Sequence, residues 1–317
     1  MKIIQTNRNY CLLLIQIVCL IFLNACFHQR TIPTKPQIST ERENCRLFGV
    51  VCNDGAPSDY LKKALKDFAN PSLPQYSGWS IGYYSEYFNN GLLGIPGKPQ
   101  IIRSAQEIEY DQEIFHSVSN LAIREFHNVI ISHLRNASSG CINIADPHPF
   151  EFQVGEKTYL FAHNGGVWGN DLKMIVDDLL DDFSKPQTCP DTPIDSEYLA
   201  LYLQKILTYE ESHPFEACHI WLQTLLDHLH GDWNALNIIL TDGIKIWTVR
   251  SSTTWHRFPL NYKRLPLSSG YMISTDGDWD WIALDNHSVG EFSVRYPPKI
   301  HILERHNPEL MSTDKID

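Results

Sequence analysis

The chemistry open to this 317-residue chain centres on one sulfur. Cys45 heads the apolar run Leu47 to Val51. The thiolate is the reactive form of cysteine, and an unperturbed thiol titrates at about 8.5, so a nucleophilic Cys45 needs a base or a favourable field. Three other segments place polar groups beside turn residues: His148-Pro149-Phe150, His163-Asn164-Gly165-Gly166 and Asp195-Ser196-Glu197. Taken singly, each has a structural reading. Cys45 reads as a buried thiol, and His148-Pro149 as a turn whose φ is set by proline. Asn164-Gly165 reads as a turn tolerant of positive φ, and Asp195 as the cap of a helix with an acidic first turn. No Cys-x-x-Cys or His-x-x-x-His spacing is present, so neither a metal nor a cofactor is expected.

The elements that must hold these residues follow from periodicity. Leu47 to Val51, Trp79 to Tyr84 and Val129 to Leu134 read as strands. Phe150–Val154 and Thr158–Ala162 flank Gly155 as a hairpin, and Asn237–Leu240 with Ile244–Val249 flank Thr241-Asp242-Gly243 as a second. Tyr271–Ser274 and Ile300–Leu303 read as late strands. Helical spacing covers Leu61–Phe68, Val118–Phe126, Leu172–Phe183, Glu197–Thr208 and Ala217–Leu229. Paired strands with paired helices predict an α+β layered fold in a single domain, residues 45–317.

Residues 1–44 differ from the rest. Lys2 and Arg8 precede the apolar stretch Cys11 to Leu23, too short for a spanning helix but suited to an export signal. It ends at Leu23-Asn24-Ala25-Cys26, which resembles a bacterial lipoprotein cleavage box with a lipid-accepting Cys26. An uncleaved N-terminal anchor is the alternative. Both readings of residues 1–26 put the remaining chain outside the cytoplasm, in or facing the periplasm. Residues 27–44 are polar and aperiodic, a linker or propeptide. The whole chain is 43% apolar with a net charge of −11, the composition of an ordinary globular protein. Five of its 26 basic and two of its 37 acidic residues lie in 1–44, which leaves residues 45–317 at −14. That balance excludes a general basic face for nucleic acid.

Order and spacing then join the segments. Cys45-Arg46-Leu47-Phe48-Gly49, Gly78-Trp79-Ser80-Ile81-Gly82-Tyr83-Tyr84, His133-Leu134-Arg135-Asn136-Ala137-Ser138-Ser139-Gly140, His148-Pro149-Phe150, Phe161-Ala162-His163-Asn164-Gly165 and Asp195-Ser196-Glu197 follow one another along the chain. The series resembles the class II glutamine amidotransferases, and within them the stand-alone γ-glutamyl amide hydrolases that lack a synthase domain. The resemblance implies an N-terminal-nucleophile hydrolase, a four-layer αββα sandwich of two stacked antiparallel sheets between helical layers. It implies Cys45 as a nucleophile at a mature amino terminus, whose own α-amine, titrating at about 8, takes the thiol proton. Asn164 and Gly165 match the oxyanion hole. Arg135 matches the clamp on the substrate α-carboxylate, Asp195 the acceptor of its α-ammonium, and the backbone near Ser138 lines the same pocket. His133, His148 and His163 are then structural.

Three positions depart from the family pattern: Asp146 stands where Asn is usual, Ser80 where Gly is usual, and Asn44 with a long leader precedes Cys45. The last sets two readings against each other. In one, cleavage before Cys45 activates an exported hydrolase that forms a γ-glutamyl thioester on Cys45 and releases glutamate with ammonia or an amine. In the other, a lipid-anchored relative binds γ-glutamyl compounds with Cys45 internal and inert. The partner in either case is a small γ-glutamyl molecule, glutamine or a γ-glutamyl peptide or amine. Of the eight cysteines, Cys45, Cys52, Cys141, Cys189 and Cys218 follow the leader, an odd number that leaves one thiol free even if two bridges form.

Overall fold

The computed structural model describes residues 45–53, 58–70, 77–85, 87–88, 95–126, 128–137, 146–180, 194–209, 213–254, 259–266, 268–277 and 280–304. Their strands are β1 (Arg46–Cys52), β2 (Trp79–Tyr84), β3 (Tyr87–Phe88), β4 (Ile95–Pro96), β5 (Pro99–Ser104), β6 (Val129–Leu134), β7 (Phe150–Val154), β8 (Lys157–Val167), β9 (Trp233–Thr241), β10 (Ile246–Arg250), β11 (Asn261–Arg264), β12 (Gly270–Ser274), β13 (Ile282–Ala283), β14 (Ser288–Phe292) and β15 (Lys299–Ile302). The helices are α1 (Ser58–Phe68), α2 (Ile108–Glu125), α3 (Gly169–Met174), α4 (Asp195–Tyr209) and α5 (Pro214–His228).

Two antiparallel sheets stack face to face. The first runs β13-β11-β12-β1-β6-β2-β5 and the second β15-β14-β10-β9-β8-β7. β1 sits near the middle of its sheet, paired with β12 and β6, and all seven of its residues are buried. A strand covered on both faces has no polar side, which is why Arg46–Cys52 reads as a nearly continuous apolar run. Three apolar clusters mark the layers. Phe48 and Val50 pack with Leu61, Leu65 and Phe115 under α1 and α2. Leu47, Val51, Ile131, Leu160, Ala162 and Ile239 fill the space between the sheets. Phe161, Ile238 and Leu240 meet Leu199, Leu203 and Trp221 of α4 and α5. The result is the expected four-layer αββα stack. Gly49 lies where the sheets approach closely, and an added Cβ would come within 3.2–3.3 Å of Ile246 and Ile239 from the other sheet.

Local structure follows the sequence with instructive exceptions. Both expected hairpins form, with Gly155 at φ +57° and Gly243 at φ +84° in their turns. α2 begins ten residues before the expected Val118, because its buried stripe carries Asp111 and Ser119 among apolar residues. Asp111 is buried to accept the Trp79 indole N–H at 2.8 Å, and Ser119 donates to the Phe115 carbonyl. The helix expected over 172–183 begins three residues earlier, at Gly169, and α3 passes into a single π turn, Ile175–Leu179; residues 181–183 lie outside the described residues. β3, β4, β5, β11, β13 and β14 carry no strand signal in the sequence reading. β14 carries Gly290, and its pairing partners come from distant parts of the chain.

Candidate active site

Cys45 directly precedes β1 and continues the parity of Leu47, Gly49 and Val51, so its side chain belongs to the space between the sheets. It is half-buried. Its Sγ accepts the Asn136 N–H at 3.3 Å and lies 3.5 Å from the Asn136 carbonyl oxygen. Burial pushes the thiol above its ordinary value. The Asn136 hydrogen bond and the Arg135 charge oppose that rise, and the Asp195 carboxylate adds to it. The resting thiol is therefore protonated at neutral pH and must lose its proton to react.

Arg135 and Asn136 leave the end of β6, beside the entry to β1. The Arg135 N–H donates to Gly78 O at 2.8 Å, its carbonyl accepts the Ser77 N–H at 3.2 Å, and the Ala137 N–H donates to Ser77 Oγ at 2.9 Å. This lattice holds the backbone rigidly under a guanidinium that is only 3% exposed. Burial lowers the Arg135 pKa, and Asp146, Cys45 and Asp195 counter it only in part, which places all four groups in one electrostatic cluster. Asp146, wholly buried, puts Oδ2 3.3 Å from Arg135 Nη2. The sequence marked Asp146 only as a departure. Its contact with Arg135, eleven residues earlier in the chain, left no periodic signal.

Asn164 and Gly165 lie near the end of β8, opposite Asn237 and Leu236 of β9. β1 packs across from β8. Asn164 is buried with the parity of Leu160 and Ala162, hence on the inter-sheet side, and its Oδ1 has no hydrogen-bond partner among the described residues. Gly165 has φ +142°, and an added Cβ would fall 2.0 Å from the Ala235 carbonyl oxygen. Only glycine fits there. A bulge follows at Gly166/Val167, and the Val167 N–H donates to Asp195 Oδ2 at 2.8 Å. Asp195, at the head of α4, is buried. Beyond the bulge, Asp171 accepts three backbone N–H groups, from His230, Gly231 and Asp232, and so fixes the entry to β9.

The three histidines form a buried train behind these groups. His133 and His148 stack at 4.2 Å between ring centroids, and the His148 N–H donates to His133 Nδ1 at 3.1 Å. His148 Nδ1 lies 2.9 Å from the His163 carbonyl and 3.1 Å from its N–H. His163 Nε2 faces the Ala235 carbonyl at 3.2 Å, so it carries the proton, and Nδ1 accepts from Ser196 Oγ at 2.8 Å. Burial lowers all three pKa values, those of His133 and His148 furthest, and the rings are neutral. The train joins the ends of β6, β7 and β8 to α4.

Cys45, Arg135 and Asp195 are thus brought together, with Asn164 and Gly165 on the strand that Asp195 anchors. Ser138, Cys141 and Cys189 lie outside the described residues. Among the described residues, Cys45 and Cys218 are free thiols. Asn136, Asp146 and Ser196 are site residues that the sequence reading had quoted without giving them a task.

The profile of the class-II glutamine amidotransferases matches residues 44–268. A Haemophilus influenzae protein named "Putative glutamine amidotransferase" is 28% identical over 239 residues, 75% of this chain and 72% of that one. An uncharacterized protein of Methanocaldococcus jannaschii is 28% identical over 200 residues, 63% of this chain and 48% of its own length. Among solved structures, the glutamine phosphoribosylpyrophosphate amidotransferase of B. subtilis shares the fold, with a TM-score of 0.56 at 15% identity over 81% of this chain. The chain spans about half of that protein, 49%. The chain belongs to the class-II glutamine amidotransferases, and its fold is that of their N-terminal-nucleophile domain.

Proposed function

We propose that this chain is a γ-glutamyl amide hydrolase, active once the Asn44–Cys45 bond is cut. The carrying observation is the state of Cys45. Burial keeps its thiol protonated, and among the described residues its sulfur hydrogen-bonds only to the Asn136 backbone. His148 and His163 are engaged with one another and with Ser196, and burial keeps all three histidines neutral. A base must therefore come with the nucleophile, and the α-amine of an N-terminal Cys45, titrating at about 8, meets that need.

In this reading the amine takes the thiol proton as sulfur attacks the γ-carbonyl carbon. The oxyanion is met by the Asn164 side-chain amide and the Gly165 N–H. Asn164 suits the task because its side-chain NH2 is a hydrogen-bond donor carried at a buried position on the inter-sheet side. The C–N bond breaks, the proton passes to the leaving nitrogen, and ammonia or an amine departs. Water then attacks the thioester, the C–S bond breaks, and glutamate leaves. Arg135 and Asp195 are the oppositely charged groups beside the thiol and would hold the substrate α-carboxylate and α-ammonium.

Export through residues 1–26, with lipid on Cys26 before processing, belongs to the same proposal. The test is turnover of a panel of γ-glutamyl amides by residues 45–317 with a free amino terminus, beside the Cys45→Ala variant. Release of glutamate by the first alone supports the reading. No turnover of any member by a folded, correctly processed chain refutes it in favour of the binding protein with an inert Cys45.

A further inference from the structure

β1 is held unevenly along its length. From Phe48 to Cys52 its β12 side is an ordinary backbone ladder, which stops at the Phe48–Ser274 pair. On the β6 side the ladder continues to Arg46 and Leu134, one residue short of Cys45. Where the β12 ladder ends, three consecutive residues take over. The Leu47 N–H donates to Thr275 Oγ1 at 3.0 Å. The Leu47 carbonyl accepts the Thr275 N–H at 3.1 Å and the Ser274 hydroxyl at 3.3 Å. Asp276 Oδ2 accepts the Arg46 Nε–H at 2.6 Å. This clasp is itself braced: the Asp276 N–H donates to Ser274 Oγ at 3.0 Å, and Asn261 Nδ2 donates to the Ser274 carbonyl at 3.4 Å.

Arg46 and Cys45 point to opposite faces of the sheet, the thiol between the sheets and the guanidinium toward α1. The guanidinium is buried over the Phe68 ring, 5.1 Å from its centroid, and its Nη1 has no hydrogen-bond partner among the described residues. Asp276 and Phe68 therefore fix its direction. Chain ends are poorly ordered unless tied down, and a cut before Cys45 makes β1 begin at the nucleophile. A misplacement of about 1 Å can cost a reaction roughly 10²-fold. Resting on the reading of Cys45 as an amino-terminal nucleophile, we propose that Thr275 and Asp276 are positioning residues. They hold Leu47 and Arg46 from the β12 side, and so keep the Cys45 thiol and α-amine in place for attack. Both act through β1 and not on the substrate. Arg135 and Asp195 stand on other elements with ties of their own, so loosening the clasp should leave substrate capture intact.

The test is steady-state kinetics on residues 45–317 with a free amino terminus, using the γ-glutamyl amide that the parent turns over fastest. Each variant is assayed at a temperature where circular dichroism shows it folded. Thr275→Val keeps the side-chain shape and removes the acceptor of the Leu47 N–H. It should lower kcat by about 10–100-fold with KM within about threefold, whereas Thr275→Ser, which keeps the hydroxyl, should stay near the parent. Asp276→Ala and Asp276→Asn form an independent pair, and they decide the question if Thr275→Val folds poorly. The Asn oxygen still accepts from Arg46 Nε, so only the Ala variant should lose kcat. Parental kcat in both Thr275→Val and Asp276→Ala overturns the assignment. So does a loss confined to KM, or an equal loss in Thr275→Ser and Thr275→Val. No turnover by the folded parent is a different result, and it removes the γ-glutamyl hydrolase reading itself.

Discussion

Asp195 Oδ2 accepts the Val167 N–H at 2.8 Å, so one carboxylate both fastens the end of β8 to the head of α4 and acts electrostatically on the Cys45 thiol. The two tasks can be separated by substitution.

Asp195→Asn keeps an oxygen for the Val167 N–H and deletes the charge. Its melting temperature should stay close to that of the parent, while turnover of γ-glutamyl substrates collapses. Asp195→Ala loses both and should cost about 1–3 kcal/mol of stability as well, because a buried N–H is left unpaired. Equal melting temperatures for the Ala and Asn variants in denaturation scans would show that the tie to Val167 carries no weight.

Arg135→Ala is not a clean test of substrate capture, since it strands Asp146 without its counter-charge. The single variant should lose roughly 3–5 kcal/mol, as when one partner of a buried pair is removed. Arg135→Ala with Asp146→Asn should recover most of that stability yet keep a raised KM. Chemical denaturation and steady-state kinetics on both variants check this. A stable single variant would mean that the pair is not as buried as it stands here.

Asn164→Ala should lower kcat by about 10²–10³ with little change in KM, because the hydrogen bond strengthens as the oxyanion forms. Folding stability should hardly fall, because the Asn164 Oδ1 that is removed has no hydrogen-bond partner among the described residues. Gly165→Ala behaves oppositely: its Cβ would collide with the Ala235 carbonyl at a φ that side chains avoid, so the variant should fail to fold well. A Gly165→Ala protein with an unchanged melting temperature would contradict the close approach of β8 and β9.

The buried histidines make stability depend on pH. Their folded pKa values lie below the ordinary 6.5, so the unfolded chain binds more protons as pH falls through that value. Stability from this source is complete above 6.5 and is lost as pH drops toward the folded values, at up to roughly 1.4 kcal/mol per pH unit for each histidine. Urea midpoints measured stepwise from neutral to mildly acidic pH should fall. A flat profile there would mean that the train is protonated in the folded state.

Much of this was legible in the sequence, for physical reasons that differ by residue. β1 and β6 announce themselves because both faces are covered and their runs are apolar. The start of α2 does not, since Asp111 occupies its buried stripe in order to satisfy Trp79. Cys45, Arg135, Asn164 and Asp195 could be picked out by order along the chain, and the fold does bring Cys45, Arg135 and Asp195 into one field. The Asp146 contact was hidden because it joins two loops whose side chains follow no strand or helix period. Asn136 was equally hidden, for it acts through its backbone N–H, which any residue type supplies.

The central claim is that the Cys45 α-amine is the base, and one preparation tests it. Intact mass gives the fraction of molecules beginning at Cys45, and glutaminase activity is measured on the same sample across several degrees of processing. Activity should rise in proportion to the fraction with a free Cys45 amine and vanish in Cys45→Ala. Full activity from molecules in which Asn44 is still joined to Cys45 would contradict it, and the thiol would then need a side-chain base.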